Sequence, residues 1–503
     1  MQLINKLIAM KLSENKFIGT GLTYDDVLLV PSYSEYLPNQ VDLTTKFSRN
    51  INLNIPVVSA AMDTVTESKM AISMSQNGGL GVIHKNFDIE TQASEVKRVK
   101  RFEAGIVYNP ITMKPDNTIE DVLTVMEQHN ISGFPVVDNS NTLKGIITNR
   151  DVRFVINKKT KVKDLMTKKV ITITKNQSTA MSSFGLAKKL LQENRIEKLV
   201  VTDKNQKCIG LITVKDIQRG EKFPNSVRDK NGQLLVGAAI GSKPNDLLRA
   251  IELEKAGVDI IFIDTAHGHS KTVLDAFKNI RKKLHLPIVI GNIATPEAAK
   301  DLIKLGADAI KVGIGPGSIC TTRIVAGVGV PQFTAIQEIS KISSKYKVPM
   351  ISDGGIRYSG DIVKALAVGA NCIMAGSLFA GTDESPGEVF LFQGRSYKSY
   401  RGMGSLGAMA RGSADRYFQD EINEAIKLVP EGIEGRIPYK GPVSNVLFQL
   451  TGGLRSGMGY TGSHNLNQLK KNAQFVRLTN SGINESHVHG VQVTKEAPNY
   501  RSN

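Results

Sequence analysis

Apolar residues along the chain fall into short runs of strand length. Pro56–Ser59 and Leu80–Ile83 are two such runs, and six more follow from Leu234: LLVGAAI, DIIFIDTAHGH, PIVIGNIAT, AIKVGIG, PMISDGGI and CIMAGSLFA. Segments with helical spacing separate them, for example Thr66–Gln76, Phe87–Phe102, Asn245–Ala256 and Pro296–Leu305. Strands that alternate with helices form parallel sheets, and eight such strands are the number in a (β/α)8 barrel. The pattern therefore predicts an α/β fold built on a (β/α)8 barrel.

Residues 107–220 interrupt this alternation with an internal repeat at an offset of 65 residues. The copies align without gaps at Ile131 and Ile196, Val136 and Val201, Asp138 and Asp203, Gly145 and Gly210, Thr148 and Thr213, and Asp151 and Asp216. Each copy predicts a helix, a hairpin-like strand pair and a second helix that opens at Asp151 or Asp216. A repeated unit that cannot bury its own apolar face packs against its twin. We expect a barrel formed by residues 1–106 and 221–503, with inserted modules at 107–160 and 161–220.

The segment 395–440 follows the last predicted strand and is rich in Gly, Arg and Tyr. So many glycines with scattered charges predict a mobile segment rather than a packed domain. A final helix is predicted around Pro442–Gly453, and a polar tail follows it.

Composition and charge narrow the function classes. No run approaches about 18 apolar residues, and the first residues lack a secretory cleavage site, so neither a membrane span nor secretion is expected. The net charge of +17 is the difference between 64 basic and 47 acidic residues. The basic residues are dispersed rather than clustered with aromatics, so anionic small substrates and a Lys-rich solvated surface explain the charge as well as nucleic-acid binding does. Cys208, Cys320 and Cys372 show neither disulfide nor metal-ligand spacing. This cysteine usage favours a reducing compartment and predicts a cytoplasmic protein.

Cys320 ends a glycine-rich loop directly after the predicted strand DAIKVG. Glycines at Gly313, Gly315 and Gly317 allow positive φ and close approach of the backbone to a ligand. A thiol at the carboxyl end of a barrel strand is placed where such folds carry their chemistry, and it can act as a nucleophile. An incidental buried cysteine in a glycine-rich turn is the alternative.

The stretch GIGPGSICTTR closely resembles the catalytic loop of IMP dehydrogenases and of the related GMP reductases, and the resemblance extends over nearly the whole chain. It implies a (β/α)8 barrel that oxidises IMP to XMP with NAD, the committed step of guanine nucleotide synthesis. The repeat resembles a tandem pair of CBS modules, which in this family bind purine nucleotides as a regulatory signal. A structural insertion without a ligand is the alternative reading of the repeat.

The resemblance also implies a two-stage mechanism. Cys320 would attack carbon 2 of IMP to give a covalent thioimidate, and Thr322 would orient groups or relay protons. Arg416 and Tyr417 in SADRYF match an Arg–Tyr pair on a mobile flap that activates water, and Glu431 matches an acidic residue that follows the flap. From chemistry alone Arg416 would be an anion contact, because the pKa of arginine lies above about 12.

The nucleotide phosphate needs backbone N–H groups and hydroxyls on glycine-rich turns, which SDGG and AGS supply after the last two strands. The resemblance implies an IMP site made of Met62, Ser318, Asp353, Gly354, Gly355, Gly376, Ser377, Tyr400, Arg401, Gly402, Met403, Gly404, Ser405 and Glu431.

No GxGxxG follows an early strand, so a Rossmann domain is not indicated. The resemblance implies that NAD binds along the barrel mouth, at Asp264, Asn292, Gly313, Ile314 and Gly315. It also implies a K⁺ site that a neighbouring subunit completes, and hence a homotetramer. Its residues are Gly315, Gly317 and Cys320, with Glu485, Ser486 and His487 from the neighbour. His267 and His269 could suggest a metal, but no third ligand has suitable spacing, so we interpret them as polar loop residues.

Two other functions are compatible with parts of this pattern. GMP reductase shares the barrel, the cysteine loop and the Thr–Glu pair, but the CBS pair and the Arg416–Tyr417 flap argue against it. A nucleotide-sensing protein with an inactive barrel is a second alternative, and the presence of all the catalytic residues argues against it.

Overall fold

The computed structural model describes residues 19–102, 107–108, 110–129, 131–174, 181–419 and 427–500. The chain forms two compact units, one of Met1–Val96 with Val236–Asn503 and the other of Lys97–Leu235. Within the described residues, no helix is both long and apolar enough to cross a membrane.

Eight strands close into a parallel barrel in the first unit, and their order around the barrel is their order along the chain. They are Val57–Ser59, Leu80–Ile83, Gly237–Ile240, Ile260–Asp264, Ile288–Ile293, Ala309–Val312, Met350–Asp353 and Cys372–Ala375. In the fourth strand, the four residues before Asp264 are at most 1% exposed, because one face meets the barrel interior and the other meets the helices. The predicted (β/α)8 barrel is confirmed.

The helices of the first unit alternate with the barrel strands or follow the last of them along the chain. They are Ser68–Gln76, Ile89–Arg101 (which runs into the second unit), Pro244–Lys255, Lys271–Lys283, Pro296–Lys304, Thr322–Val325, Gln332–Tyr346, Ser359–Ala367, Leu406–Ala408, Val443–Tyr460, Leu466–Asn472 and Asn480–Ser486. The helix at Pro296 begins there because Thr295 Oγ1 accepts the Ala298 amide at 3.3 Å, and proline lacks an N–H to satisfy in the first turn.

The helix predicted around Pro442–Gly453 continues to Tyr460. Its glycines do not end it. A Cβ at Gly453 would lie 2.1 Å from Ser359 Oγ, and one at Gly457 would lie 2.7 Å from a Val363 methyl. These glycines therefore allow close packing against the helix Ser359–Ala367, and the shorter prediction was wrong.

The segment 395–440 contains more regular structure than its composition predicted. Arg395–Arg401 pairs with Phe390–Phe392 and with Glu434–Pro438 in a three-stranded antiparallel sheet. The Arg436 guanidinium lies 3.6 Å from the centre of the Phe392 ring, so the arginines of this segment help to pack the sheet. The prediction that the segment is not packed is therefore corrected for these strands.

The second unit contains both copies of the repeat, and their hairpins share one register. Val136 pairs with Gly145 and Val201 pairs with Gly210, and a bulge follows the first residue of each pair. The strands of this unit are Val107–Tyr108, Gly133–Val137, Leu143–Thr148, Thr172–Thr174, Lys198–Thr202 and Cys208–Thr213. Its helices are Ile119–His129, Asn149–Val152, Val162–Leu165, Met181–Glu193 and Val214–Lys222. The last helix of each copy begins two residues before the predicted position, at Asn149 rather than Asp151 and at Val214 rather than Asp216.

The two copies pack against each other, as the repeat predicted. Val137 and Ile146 of the first copy share one apolar cluster with Val200, Cys208 and Leu211 of the second. The unit also extends beyond residues 107–220, because Lys100 Nζ pairs with Asp229 at 3.0 Å and donates to the Leu234 carbonyl at 3.1 Å.

Candidate active site

A cavity of about 310 Å³ lies at the carboxyl ends of the barrel strands. Residues that end or directly follow five of these strands line it, namely Asp264, Asn292, Gly313, Asp353 and Gly376. This is the face at which barrels bind ligands. The polar and glycine residues that end the apolar runs of the sequence thus surround one space.

Cys320 lies on the wall of this cavity. Its Sγ is 3.2 Å from Thr322 Oγ1, and the Thr321 amide donates to the Glu431 carbonyl at 2.9 Å. The structure therefore brings together three predicted catalytic residues, Cys320, Thr322 and Glu431, from two separate segments.

Cys208 and Cys372 are buried, and burial raises the pKa of these thiols to about 11 and about 12. Cys320 is partly exposed to the cavity. Among the three cysteines, Cys320 is therefore the thiol that a substrate in this cavity can reach.

Arg323 holds the cysteine loop in place, a role that sequence reasoning missed. Its Nε donates to the Ile314 carbonyl at 3.0 Å and its Nη2 to the Val330 carbonyl at 2.6 Å. Gly315 has a φ of 73°, and a Cβ there would lie 2.6 Å from Arg323 Cγ. Glycine at this position therefore allows the positive φ of the turn and leaves room for the Arg323 side chain.

A second missed residue, Lys311, lines the cavity although only 2% of its side chain is exposed. Its Nζ is 2.8 Å from Asp264 Oδ1 and also pairs with Asp353. Asn292 Nδ2 donates to Asp353 Oδ2 at 2.9 Å. A lysine inside the apolar run AIKVG was the available signal, since a buried charge requires a partner.

Arg416 lies in this cavity and pairs with Asp264. Burial raises the pKa of Asp264, but the charges of Arg416 and Lys311 outweigh burial and hold this pKa at about 2. Burial likewise lowers the pKa of Arg416, and the Asp264 carboxylate outweighs it and raises this pKa above its ordinary value. Both groups are therefore charged. Asp264, a predicted cofactor residue, is thus paired with Arg416, a predicted catalytic residue.

Tyr417 lies beside Arg416 and also lines the cavity. Its ring packs on Gly404, where a Cβ would lie 2.8 Å from Tyr417 Cζ. Burial raises the pKa of the phenol to about 12, although the Arg416 charge opposes this. The hydroxyl is therefore protonated at neutral pH.

Most of the predicted IMP residues line the cavity. They are Met62, Ser318, Asp353, Gly354, Gly355, Gly376, Ser377, Tyr400, Gly402, Met403, Gly404 and Glu431. Two others do not line it: the Arg401 side chain pairs with Asp63, and Ser405 Oγ caps a short helix by accepting the Ala408 amide at 3.3 Å.

All five predicted cofactor residues line the same cavity: Asp264, Asn292, Gly313, Ile314 and Gly315. The predicted K⁺ residues divide into two groups. Gly315, Gly317 and Cys320 lie on the cavity wall, whereas Ser486 and His487 line a separate hollow with Tyr358 and Tyr500. Glu485 lies beside them on the helix Asn480–Ser486. A single chain therefore does not bring the two groups together.

The two histidines after the fourth strand do not share a ligand set. His269 Nε2 is 3.0 Å from Asp301 Oδ2, and its ring centre is 6.5 Å from that of His267. Across the described part of the chain, no group of three or more His, Cys, Asp or Glu residues could hold a metal ion.

Comparison with known proteins identifies relatives over almost the whole chain. The family model of the IMP dehydrogenase / GMP reductase domain matches residues 21–489. Inosine-5'-monophosphate dehydrogenase of Halalkalibacterium halodurans is 55% identical over 488 residues, covering 97% of this chain and 99% of the relative. The enzyme of the same name from Bacillus subtilis is 54% identical over 490 residues, with the same coverage of both chains.

A solved structure of a GMP reductase is also similar to this chain. GMP reductase from Trypanosoma brucei, solved as a cysteine-to-alanine variant in complex with guanosine 5'-monophosphate, has a TM-score of 0.83 and 38% identity, covering 95% of this chain and 100% of that one. The uncovered 5% is far smaller than residues 107–220. The inserted repeat therefore does not separate the two activities, which corrects the argument from the sequence. The fold, the cavity and these relatives together show that the chain belongs to the IMP dehydrogenase/GMP reductase family.

Proposed function

We propose that the chain catalyses the NAD-dependent oxidation of IMP to XMP, the committed step of guanine nucleotide synthesis. One observation carries the proposal: Cys320 and Thr322, 3.2 Å apart, share a single cavity with Arg416 and Tyr417. A thiol and its neighbouring hydroxyl suit covalent capture of a purine. A cationic Arg–Tyr pair on the same cavity suits the hydrolysis that an oxidised product requires.

In the first stage, the Cys320 thiolate forms a bond to carbon 2 of IMP, and a hydride leaves that carbon. NAD, when bound, accepts this hydride. The strand-end turns Asp353–Gly355 and Gly376–Ser377 would hold ribose and phosphate through their carboxylate, amides and hydroxyl. Met62 and Tyr400 would flank the purine, since both line the cavity beside Gly376.

In the second stage, water attacks carbon 2, the carbon–sulfur bond breaks and the thiolate returns. While it pairs with Asp264, Arg416 remains charged, so we assign it to orienting water and stabilising the developing negative charge. Thr322 and Glu431 would carry the released proton. With one hydride and one proton released, IMP, NAD⁺ and water give XMP, NADH and H⁺.

The residues at the cavity mouth fit a dinucleotide. Asp264 and Asn292 present oxygens that can accept hydrogen bonds from ribose hydroxyls, and Gly313 exposes backbone without a side chain. Asp264 pairs with Arg416 in the described arrangement. Cofactor and flap would therefore use this carboxylate in turn, which matches a two-stage reaction.

GMP reductase is the second candidate, because a GMP reductase matches 95% of the chain. Arg416 and Tyr417 in the cavity favour the hydrolytic reaction, since reductive deamination needs no water activated by a flap. Purified protein should form NADH from IMP and NAD, and should leave NADPH unchanged in the presence of GMP. The opposite pattern would replace the proposal with the reductase.

A monovalent cation and a tetramer belong to the same proposal. The Gly315, Gly317 and Cys320 carbonyls lie on one turn and could ligate K⁺ with oxygen. Glu485, Ser486 and His487 would complete the site from a neighbouring subunit, because the helix Asn480–Ser486 has no buried residue and Ser486 and His487 line a hollow other than the cavity of Cys320.

The inserted unit offers a place for purine nucleotides. A hollow of about 630 Å³ lies between the two repeats, with Thr148, Asp151 and Lys198 among its lining residues. Polar groups of both charges beside apolar walls suit a nucleotide that carries phosphate and base. We assign the CBS pair to nucleotide binding there.

A further inference from the structure

The loop after the second barrel strand carries an ion pair that the mechanism above does not use. Lys85 follows the strand Leu80–Ile83, and its ammonium contacts both carboxylate oxygens of Asp415. The two side chains are only 8% and 10% exposed, so water weakens their attraction less than at an open surface. Asp415 directly precedes Arg416.

Two more charged groups surround this pair. A Cβ at Gly241 would lie 2.6 Å from Asp246 Oδ2, 2.7 Å from Asp415 Oδ2 and 3.1 Å from Lys85 Nζ. Arg249 Nε is 3.7 Å from Asp246 Oδ1. The absent side chain of Gly241 thus leaves room for Lys85 and the two carboxylates, and Arg249 adjoins Asp246. Asp415 is the carboxylate of this cluster that pairs with Lys85.

This cluster lies next to the residues that hold Arg416. The Arg416 carbonyl accepts the Ala266 amide at 3.1 Å, and its guanidinium pairs with Asp264. Ala414–Tyr417 is a single 3-10 turn. Fixing Asp415 on this turn therefore fixes the direction of the next two side chains.

We propose that Lys85 is a positioning residue for the hydrolytic stage. By holding Asp415, it keeps Arg416 on Asp264 and Tyr417 in the cavity. The inference rests on the proposed function of Arg416 and Tyr417. Without the Lys85 charge, the Arg416–Asp264 pair breaks more often. Hydrolysis then slows, because Arg416 is less often in place, and the Asp264 carboxylate becomes more accessible to the cofactor.

Steady-state kinetics of Lys85→Met test this role, because methionine retains an unbranched chain without the charge. We expect kcat and the KM for NAD to fall together, each by about tenfold, so that kcat/KM changes little. The nucleotide adduct on Cys320 should accumulate at steady state. Asp415→Asn should reproduce these changes, and the double variant should be no worse than either single variant.

Lys271→Met is the matched control, since it removes an exposed lysine pair with Asp275 on the same barrel. It should leave all of these quantities unchanged. Amide hydrogen exchange in Ala414–Tyr417 gives a readout that does not need activity. Exchange should rise in Lys85→Met and in Asp415→Asn, and it should stay at the wild-type rate in Lys271→Met.

Two results would overturn the proposal. One is wild-type kcat and wild-type exchange in both Lys85→Met and Asp415→Asn. The other is an equal loss of the initial NADH burst and of hydrolysis, which would indicate a general structural role. Failure of the proposed function is distinct: wild-type protein would then form no NADH from IMP, whatever occupies position 85.

Discussion

Charged side chains in the barrel mouth are buried in matched pairs. Lys311 pairs with both Asp264 and Asp353, and Arg416 also pairs with Asp264. Removing one member of such a pair leaves an unpaired charge that is poorly solvated, which is strongly destabilising. Single residues here thus affect both folding and catalysis, and variants that avoid these pairs give clearer tests.

Cys320→Ala is such a variant, because Cys320 takes part in no ion pair among the described residues. Turnover should fall below detection, since the covalent bond to carbon 2 cannot form, while IMP should still bind through the strand-end turns. Calorimetric titration with IMP and an NADH assay measure the two effects. Mass spectrometry of the wild-type protein with IMP and NAD should show a nucleotide on Cys320. Substantial NADH formation by the alanine variant would exclude the covalent mechanism.

Gly376→Ala tests the fit of the proposed IMP site. The new Cβ would lie 2.8 Å from Met62 Sδ and 3.0 Å from Tyr400 Oη, so one or both side chains must move into the substrate space. We expect the KM for IMP to rise by about tenfold, with a smaller change in kcat. Gly360→Ala is the control, because a Cβ there meets nothing within 4 Å. An unchanged KM would place the purine elsewhere.

At the scale of elements, the cysteine loop is held in place by contacts with neighbouring segments. The cysteine loop is fixed by Arg323 on one side and by the segment around Glu431 on the other, where Cys320 bridges to Gly432. Gly313 and Gly315 of this loop have φ values of 147° and 73°, which glycine adopts without a steric penalty. The loop is therefore the element on which a bound cation would act.

K⁺ should stimulate turnover several-fold, and Na⁺ should do so poorly. The reason is that a ring of carbonyl oxygens on a flexible loop suits the larger, less strongly hydrated ion. Initial rates in KCl, NaCl and choline chloride at equal ionic strength test this. Equal rates in all three salts would remove the cation site from the mechanism.

At the scale of the whole molecule, the barrel and the inserted unit have separate cores. The proposed catalytic and substrate residues all lie in Met1–Val96 and Val236–Asn503, and the repeats bury their own shared cluster. Insertions of this kind occur where the two chain ends lie close together. Catalysis and nucleotide regulation should therefore be separable.

Replacing residues 107–220 by a short linker tests this separation. The replacement retains Lys100 and Asp229, whose ion pair joins the two chain segments at the base of the insertion. We expect kcat within about twofold of wild type, because no proposed catalytic residue is removed, and we expect loss of any effect of purine nucleotides on the rate. Kinetics with and without ATP and GTP measure both. A folded but inactive variant would show that the insertion contributes to catalysis.

The sequence alone determined the barrel, because each strand is a short apolar run that ends in polar or glycine residues. It also determined the repeat, whose two hairpins share one register at the offset of 65 residues. Both are local properties: a buried strand needs apolar residues, and repeated folding needs repeated spacing. The resemblance of the cysteine loop added the residues around Cys320 and Arg416.

Only the tertiary structure decided which charges meet. Lys85 and Asp415 are 330 positions apart, and Lys311 and Asp264 lie on different strands, so no spacing along the chain reveals either pair. The same holds for Gly453, which ended the predicted helix and instead packs against Ser359 of the helix Ser359–Ala367. Arg401 is a predicted IMP residue, and the structure adds that its guanidinium pairs with Asp63, 338 positions away. Pairing between distant residues depends on how the barrel closes, and periodicity in a linear sequence does not contain that information.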